Sequence, residues 1–172
     1  YESMRPYFAD TVKVWRPNGV YTDTFDSFVE SINNYKKAIK LNPEYFEVYN
    51  NMGVAYNDWK KPDLAIECLR KAIKLNPSYA DAFNNLGNSQ KEISDLEGAV
   101  KSYEQAILIN PNYIDAMCNL GIVLGMQERY KSAEEVYKKA LEIDPARKQT
   151  IYLYASLLLN SKKFDEAEEN FK

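Results

Sequence analysis

Prolines recur at intervals of 34 residues, and this period constrains the fold more than any other feature of the sequence. The five residues before each proline share a pattern: an alanine, an apolar residue, a variable residue, a second apolar residue, and a final Asn or Asp. Such a fixed period predicts a chain built from one repeated structural unit. The prolines in this register are Pro43, Pro77, Pro111 and Pro145.

Each unit has the pattern of two helices. In residues 80–113, one apolar stripe with helical spacing runs through Leu86, and a second runs through Val100 and Tyr103. A short polar turn separates the stripes, and Asp95 is expected to cap the second helix. The proline closes the unit because it cannot continue a helix and disfavours helical backbone in the residue before it.

Small residues recur inside these helices. Gly53, Gly87 and Gly121 share one phase of the repeat, as do alanines in the second helix. A glycine inside a helix costs up to about 1 kcal/mol in propensity, so its recurrence calls for a compensating role in packing. We expect these positions to let two helix backbones approach closely.

The unit resembles the tetratricopeptide repeat. That pattern has a bulky residue at position 4, Leu-Gly at 7 and 8, Tyr at 11, Ala at 20, an aromatic at 24, Ala at 27 and Pro at 32. The matching residues of unit 80–113, with a glutamine at position 11, are Phe83, Leu86, Gly87, Gln90, Ala99, Tyr103, Ala106 and Pro111.

The resemblance implies an all-α fold, an α-solenoid in which helix-turn-helix units form a right-handed superhelix over residues 26–172. Both ends of this array are incomplete, and each solenoid unit buries its apolar face against its neighbours. We therefore expect the natural chain to continue past Lys172, and uncapped ends would allow self-association. The predicted units are a half repeat 26–45, full repeats 46–79, 80–113 and 114–147, and a partial repeat 148–172.

Residues 1–25 do not fit the repeat. Two extended stretches, 12–15 and 20–22, flank Pro17-Asn18-Gly19, which predicts an irregular or hairpin-like segment. We expect this segment to cover the apolar face of helix 26–41. That face contains Phe28, Ile32, Tyr35 and Ile39.

Composition excludes several function classes. The chain has no histidine, and its two cysteines, Cys68 and Cys118, have no CxxC partner, so we expect no metal, no cofactor and no histidine chemistry. Its 22 basic and 25 acidic residues give a net charge of −3, which argues against nucleic-acid binding. The longest apolar run, 152–159, is too short for membrane insertion. We expect a non-enzymatic protein of the cytoplasm, a reducing compartment.

The resemblance also implies a binding site for a protein or peptide partner. In that family the first helix of each unit lines a concave groove, with ligand contacts at positions 2, 5, 6, 9, 12 and 13. The resulting candidates are Asn51, Asn85 and Asn119 at position 6, Glu47, Asp81 and Asp115 at position 2, Asn50 and Asn84 at position 5, and Asn88 at position 9.

The asparagine at position 6 recurs in three units and gives way to Leu153 in the fourth. A side-chain amide both donates and accepts, so such a ladder could bind a peptide backbone without reading its side chains. The alternative is that asparagine merely suits a polar, half-exposed helix face. Asparagine is a mediocre helix former, so its recurrence favours the ladder.

Two subclasses of the family differ at these positions. Clamps for acidic chaperone tails need Lys or Arg at positions 2 and 6, where this chain has acids and amides, so that ligand is excluded. The segment 80–111 is similar to the arm of O-linked N-acetylglucosamine transferase, which implies backbone binding by the ladder and side-chain contacts by Asp81 and Asp115. Three functions stay open: a module binding an extended peptide or partner helix, a substrate-recruiting arm of a glycosyltransferase, and a structural scaffold or spacer.

Overall fold

The computed structural model describes the backbone of residues 13–15 and 21–170 and the side chains of residues 27–161. Two short strands come first, β1 (Lys13–Trp15) and β2 (Tyr21–Asp23). They pair antiparallel, with Val14 opposite Thr22. The turn predicted at 17–19 lies outside the described residues.

The rest of the described chain is helical. The even-numbered helices α2, α4 and α6 each pair with the helix that follows, and each pair also packs on the next, which makes a helical solenoid. The pairs coincide with the units 46–79, 80–113 and 114–147. The helices are α1 (Thr24–Leu41), α2 (Phe46–Asp58), α3 (Pro62–Leu75), α4 (Ala80–Glu92), α5 (Leu96–Ile109), α6 (Ile114–Met126), α7 (Tyr130–Ile143) and α8 (Lys148–Asn170).

The turn inside each unit has one left-handed residue. Lys60, Ser94 and Glu128 have φ between 53° and 62°, a region that residues other than glycine seldom adopt. The residue after each of them donates its backbone N–H to a carbonyl five residues earlier, as Asp95 does to Gln90 at 2.8 Å. Such bonds satisfy carbonyls at the helix end. The predicted cap is confirmed: Asp95 Oδ1 accepts from the Gly98 N–H at 3.0 Å.

Small residues at fixed positions set the distance between paired helices. A Cβ added to Gly87 would lie 2.6 Å from a ring carbon of Tyr103, and one added to Gly121 would lie 2.5 Å from the ring of Tyr137. Both tyrosines are buried, as is Ala99. The predicted packing role of the small residues is therefore confirmed.

The expected position of residues 1–25 over helix 26–41 lies largely outside the described residues, but the apolar face of that helix does not lack a cover. Ile32 is buried against Met52 of α2 and Cys68 of α3. The ring centroids of Phe28 and Trp59 are 4.4 Å apart. The second helix of the half repeat thus already has its cover, because the first helix of the next unit packs on it.

The partial repeat also differs from the expectation of two helices. Instead of turning at 161–163, α8 continues as one helix to Asn170. Ser161-Lys162-Lys163 has neither an acidic cap such as Asp95 nor a following proline such as Pro62, but the turn before α7 lacks both as well, so these features alone do not decide between a turn and a helix. Lysine is a good helix former, so local propensity favours the straight helix.

The tight contact at position 8 predicts a difference between two glycines. Gly87→Ala should destabilise the protein by about 1–3 kcal/mol, because the new methyl group overlaps the buried Tyr103 ring. Gly125→Ala is the matched control, since its Cβ would meet only the flexible tip of Leu157, at 3.2 Å. Urea unfolding measures both changes, and equal free energies of unfolding for the two variants would contradict this packing.

Candidate functional site

The first helices of consecutive units, α2, α4, α6 and α8, lie side by side and contact one another in sequence. Positions 2, 5, 6, 9, 12 and 13 of these helices face the same side, which we call the first-helix face. All nine candidate residues from the sequence belong to it. Two cavities open between neighbouring first helices, one between α2 and α4 and one between α6 and α8.

The asparagines of this face join neighbouring units. Asn85 Nδ2 donates to Asn50 Oδ1 at 2.9 Å, and Asn119 Nδ2 donates to Asn84 Oδ1 at 3.0 Å. In each case position 6 of one unit bonds to position 5 of the unit before. The accepting residues, Asn50 and Asn84, are buried, so these amide bonds form rungs between the units.

Each rung uses only part of the position-6 amide. The structure gives the Oδ1 atoms of Asn85 and Asn119 no hydrogen-bond donor among the described residues, and neither oxygen is a buried unpaired atom. Asn51 is exposed and accepts only from its neighbour Asn50, at 3.3 Å. Amide groups of all three residues therefore remain able to bond a ligand.

The acids at position 2 contact the last residue of the same unit, 32 residues on. Asp81 accepts a hydrogen bond of 2.7 Å from the Tyr113 hydroxyl, and Asp115 forms an ion pair with Arg147. Burial, the Asp81 hydrogen bond and nearby carboxylates raise the pKa of Tyr113. Glu47 is half-buried at the corresponding place on α2.

The cavity between α2 and α4 is polar and holds about 360 Å³. Asn57 donates to Ser89 at 2.8 Å, while its own Oδ1 is buried without a described partner. Asn88 accepts from Tyr103 at 2.8 Å and so connects this wall to α5. The charged residues of the lining are two acids and two lysines, Asp58, Lys60, Lys91 and Glu92.

The cavity between α6 and α8 has about the same volume, about 350 Å³, and mainly apolar walls, to which Tyr130 and Tyr137 of α7 also contribute. Its polar lining residues on α8 are Ser156 and Asn160. Leu153 lines it at position 6, where the preceding units have asparagine. At position 5, Cys118 lies 3.2 Å from the Thr150 hydroxyl and is buried. The amide ladder therefore ends where the apolar cavity begins.

Sequence reasoning missed several residues of this face. Asn57 is at position 12, within the set that the resemblance marks, and could have been found there. Tyr113 and Arg147 are at position 34, outside that set, and no signal in a single sequence pairs them with the position-2 acids.

Neither cysteine has the lowered pKa of a reactive thiol. Burial raises the pKa of the Cys68 thiol to about 11 and also raises that of Cys118, so both thiols stay protonated at neutral pH. In the part of the chain that the structure describes, no group of His, Cys, Asp and Glu side chains could hold a metal. None of the described helices combines the length and apolarity that crossing a bilayer requires.

Sequence profiles identify the repeat. Profiles described as tetratricopeptide repeat match residues 46–79 and 114–146 and residues 68–101, and a profile described as TPR repeat matches 27–58 and 91–128. Together they extend without a gap from 27 to 146. No curated protein sequence matches the chain significantly.

Solved structures agree with the profiles. A crystal structure of MamA protein is 30% identical, with a TM-score of 0.72 over 86% of this chain and 81% of that one. A second crystal structure of MamA is 26% identical, with a TM-score of 0.65 over 86% and 99% of the two chains. The second TPR domain of human RPAP3, solved by NMR with the HSP70 peptide SGPTIEEVD, shares the fold alone, at 23% identity and a TM-score of 0.61 over 63% of this chain and 91% of that one.

The chain therefore belongs to the tetratricopeptide-repeat family, whose units serve as protein-interaction modules and are typically non-catalytic. The similarity to the arm of O-linked N-acetylglucosamine transferase has no counterpart among these matches.

The rungs predict energetic coupling between units. Asn84→Ala should cost about 1–3 kcal/mol, since it leaves the Asn119 amide without its acceptor. The double variant Asn84→Ala/Asn119→Ala should cost less than the sum of the single changes, with a coupling of about 0.5–1.5 kcal/mol in urea unfolding. Asn34→Ala, at an exposed site on α1, is the control. Strict additivity would mean that the rung contributes nothing.

Three tyrosines, two of them buried and Tyr113 half-buried, predict sensitivity to alkali. Burial raises the pKa values of Tyr103, Tyr113 and Tyr137 above their ordinary value in the folded state. Above about pH 10 the unfolded chain loses these protons first, so the free energy of unfolding should fall as the pH rises. Tyr113→Phe should make this fall shallower, and Tyr152→Phe, at an exposed site, should not. Equal slopes from pH 9 to 12 would contradict the prediction.

Proposed function

We propose that the first-helix face is a groove that binds an extended segment of a partner protein. In this proposal the position-6 amides of Asn51, Asn85 and Asn119 bond the backbone of the segment. The observation that carries it is that the N–H and the carbonyl oxygen of each rung amide have different roles. One N–H of Asn85 or Asn119 joins two units, and the carbonyl oxygen is left for a backbone N–H of the ligand.

The rungs also support the proposal by holding the amides in place. A side chain already fixed by one hydrogen bond loses little rotamer entropy on binding, which favours affinity. An extended strand advances about 3.3 Å per residue, so amides on successive helices would meet backbone groups a few residues apart. Backbone contacts of this kind would admit many sequences.

The kind of ligand differs from the one seen with RPAP3. The peptide in that complex, SGPTIEEVD, is acidic. Here position 2 has acids, Glu47, Asp81 and Asp115, and position 6 has no cation. An acidic tail would bring like charges together, so the proposed ligand is not of that type.

The test begins with a selection of displayed random peptides on the purified protein, followed by anisotropy titration of a selected peptide. Replacing Asn51, Asn85 and Asn119 together with Ala should weaken binding by about one to three orders of magnitude, at about 0.5–1.5 kcal/mol for each lost contact. Because amides are neutral, the loss should persist at high salt.

Two controls separate binding from folding. Asn33→Ala/Asn34→Ala replaces exposed asparagines on α1, outside the first-helix face, and should leave affinity unchanged. Asn51→Ala removes the one ladder residue that donates to no described rung, so its loss of stability should be smaller than that of Asn85→Ala or Asn119→Ala, and its loss of affinity can be compared with theirs. Binding that survives the triple change would overturn the proposal and favour the second-helix face, residues 1–25 or a scaffold role.

A second candidate is the substrate-recruiting arm of a larger glycosyltransferase. The recurrence of asparagine at position 6 favours it, because the sequence there resembles such an arm. The full natural chain should then transfer a sugar from a nucleotide sugar to a peptide that binds the ladder. Absence of any transfer by that chain to a bound peptide would exclude this candidate without affecting the groove.

A further inference from the structure

The first-helix face changes its chemistry along the solenoid, from acidic and amide-lined at α2 and α4 to uncharged and more apolar at α8. We infer that the groove selects a segment of one composition: basic residues over α2 and α4, and one large apolar side chain inserted between α6 and α8. This inference rests on the proposed function and adds to it what the partner must contain.

The apolar cavity supplies the anchor. It lies two units along from the polar cavity and shares with it lining residues at positions 6, 9, 12 and 13 of the first helices, so a segment in the groove would pass both. Gly121, Leu157 and two tyrosines of α7 line only the apolar cavity. Positions 9, 12 and 13 are Val54, Asn57 and Asp58 in the polar cavity. They are Ile122, Gly125 and Met126 in the apolar one, which Leu153 and Leu157 complete.

The cavity is open enough for a side chain. Gly125 has no Cβ at its wall, and a Cβ placed there would meet only Leu157, at 3.2 Å. Met126 is 55% exposed at its rim. A volume of about 350 Å³ is at the small end for ligand pockets, which suits one side chain of a peptide better than a drug-sized molecule.

Charge gives the groove a direction. At α2 and α4, the acids at position 2 are Glu47 and Asp81. Asp81 accepts a hydrogen bond from the Tyr113 hydroxyl, and the negative charges of both acids raise the pKa of Tyr79. The described neighbours of these acids at position 34 are therefore neutral phenols. The two acids and two lysines that line the polar cavity have formal charges that sum to zero. This end of the groove therefore keeps an uncompensated negative charge, which a basic segment would complement.

At the α6 and α8 end of the groove, no uncompensated negative charge remains among the described residues. Asp115 of α6 is neutralised by Arg147, whose guanidinium takes the place of the tyrosines. From 148 to 161, α8 has no acidic residue, and its only formal charge is that of Lys148. A basic residue over α8 would gain nothing, whereas an apolar one would lose water contact in the cavity.

The repeat sets the spacing of these two features. Packed helices lie about 8–10 Å apart, so the two cavities are separated by about 16–20 Å. At about 3.3 Å per residue, an extended segment covers that distance in about five or six residues.

Four fluorescent 14-residue peptides test the inference on the full 172-residue chain. The first has a Lys-Arg pair and a leucine six residues on, in a background of Ser, Thr, Asn and Gly. The second reverses this order, the third replaces the leucine with Ser, and the fourth replaces the basic pair with Gln. One of the two orders should bind best, and loss of its leucine should weaken binding about ten-fold to a hundred-fold.

Variants of the protein test where the leucine and the basic pair of the peptide bind. Met126→Glu gives the third unit an acid at position 13, as at Asp58 and Glu92, and should weaken the leucine peptide at least ten-fold while sparing the serine peptide. Leu108→Glu is the matched control, an exposed apolar residue on the second helix α5. Glu47→Gln should weaken the basic peptides at low salt and have little effect at high salt.

The leucine and serine peptides could bind with equal affinity, and the triple asparagine variant could abolish the binding of both. That result would overturn this inference and leave the groove proposal standing. Equal affinity for the two orders, or no binding of any of the four, would also overturn it. Peptide binding that is insensitive to both the asparagine and the Met126 changes would overturn inference and proposal together.

Discussion

The close approach of the two helices in each unit is the constraint on which the rest of the structure depends. Glycine at position 8 leaves room for the ring or branched side chain at position 24, and Tyr103 or Tyr137 then fills the interface completely. Because this packing recurs with the 34-residue period, neighbouring units stack in the same way each time. The first helices consequently form one continuous face, with equivalent side chains in register.

That face is held together by the same residues that we propose bind the partner. The asparagines at positions 5 and 6 bond each other between units, a structural role that their recurrence in the sequence did not predict. They are structural rungs, and the oxygen atoms of Asn85 and Asn119 that the rungs leave unused are the acceptors that the proposed groove would offer. Where Cys118 and Leu153 replace them, the rung and the polar lining disappear together, and an apolar cavity takes their place.

The period predicted the helices, the cap at Asp95 and the packing of Gly87, because these depend on contacts within one unit. It could not predict the rungs, since these join two units and depend on how one unit is offset from the next. The Arg147 ion pair with Asp115 lies within one unit, but at position 34, where the repeat pattern specifies no residue. The period also failed at α8, where local helix propensity prevailed over the turn that the repeat pattern implied. Periodicity thus specifies each unit better than the contacts between units.

The most direct test of the central claim is an NMR titration that follows the side-chain amide signals of the asparagines as a selected peptide is added. The account predicts that the amide signals of Asn51, Asn85 and Asn119 shift together, while those of Asn33 and Asn34 on α1 stay in place. Shifts confined to residues of the second helices, with the three ladder amides unchanged at saturation, would contradict it.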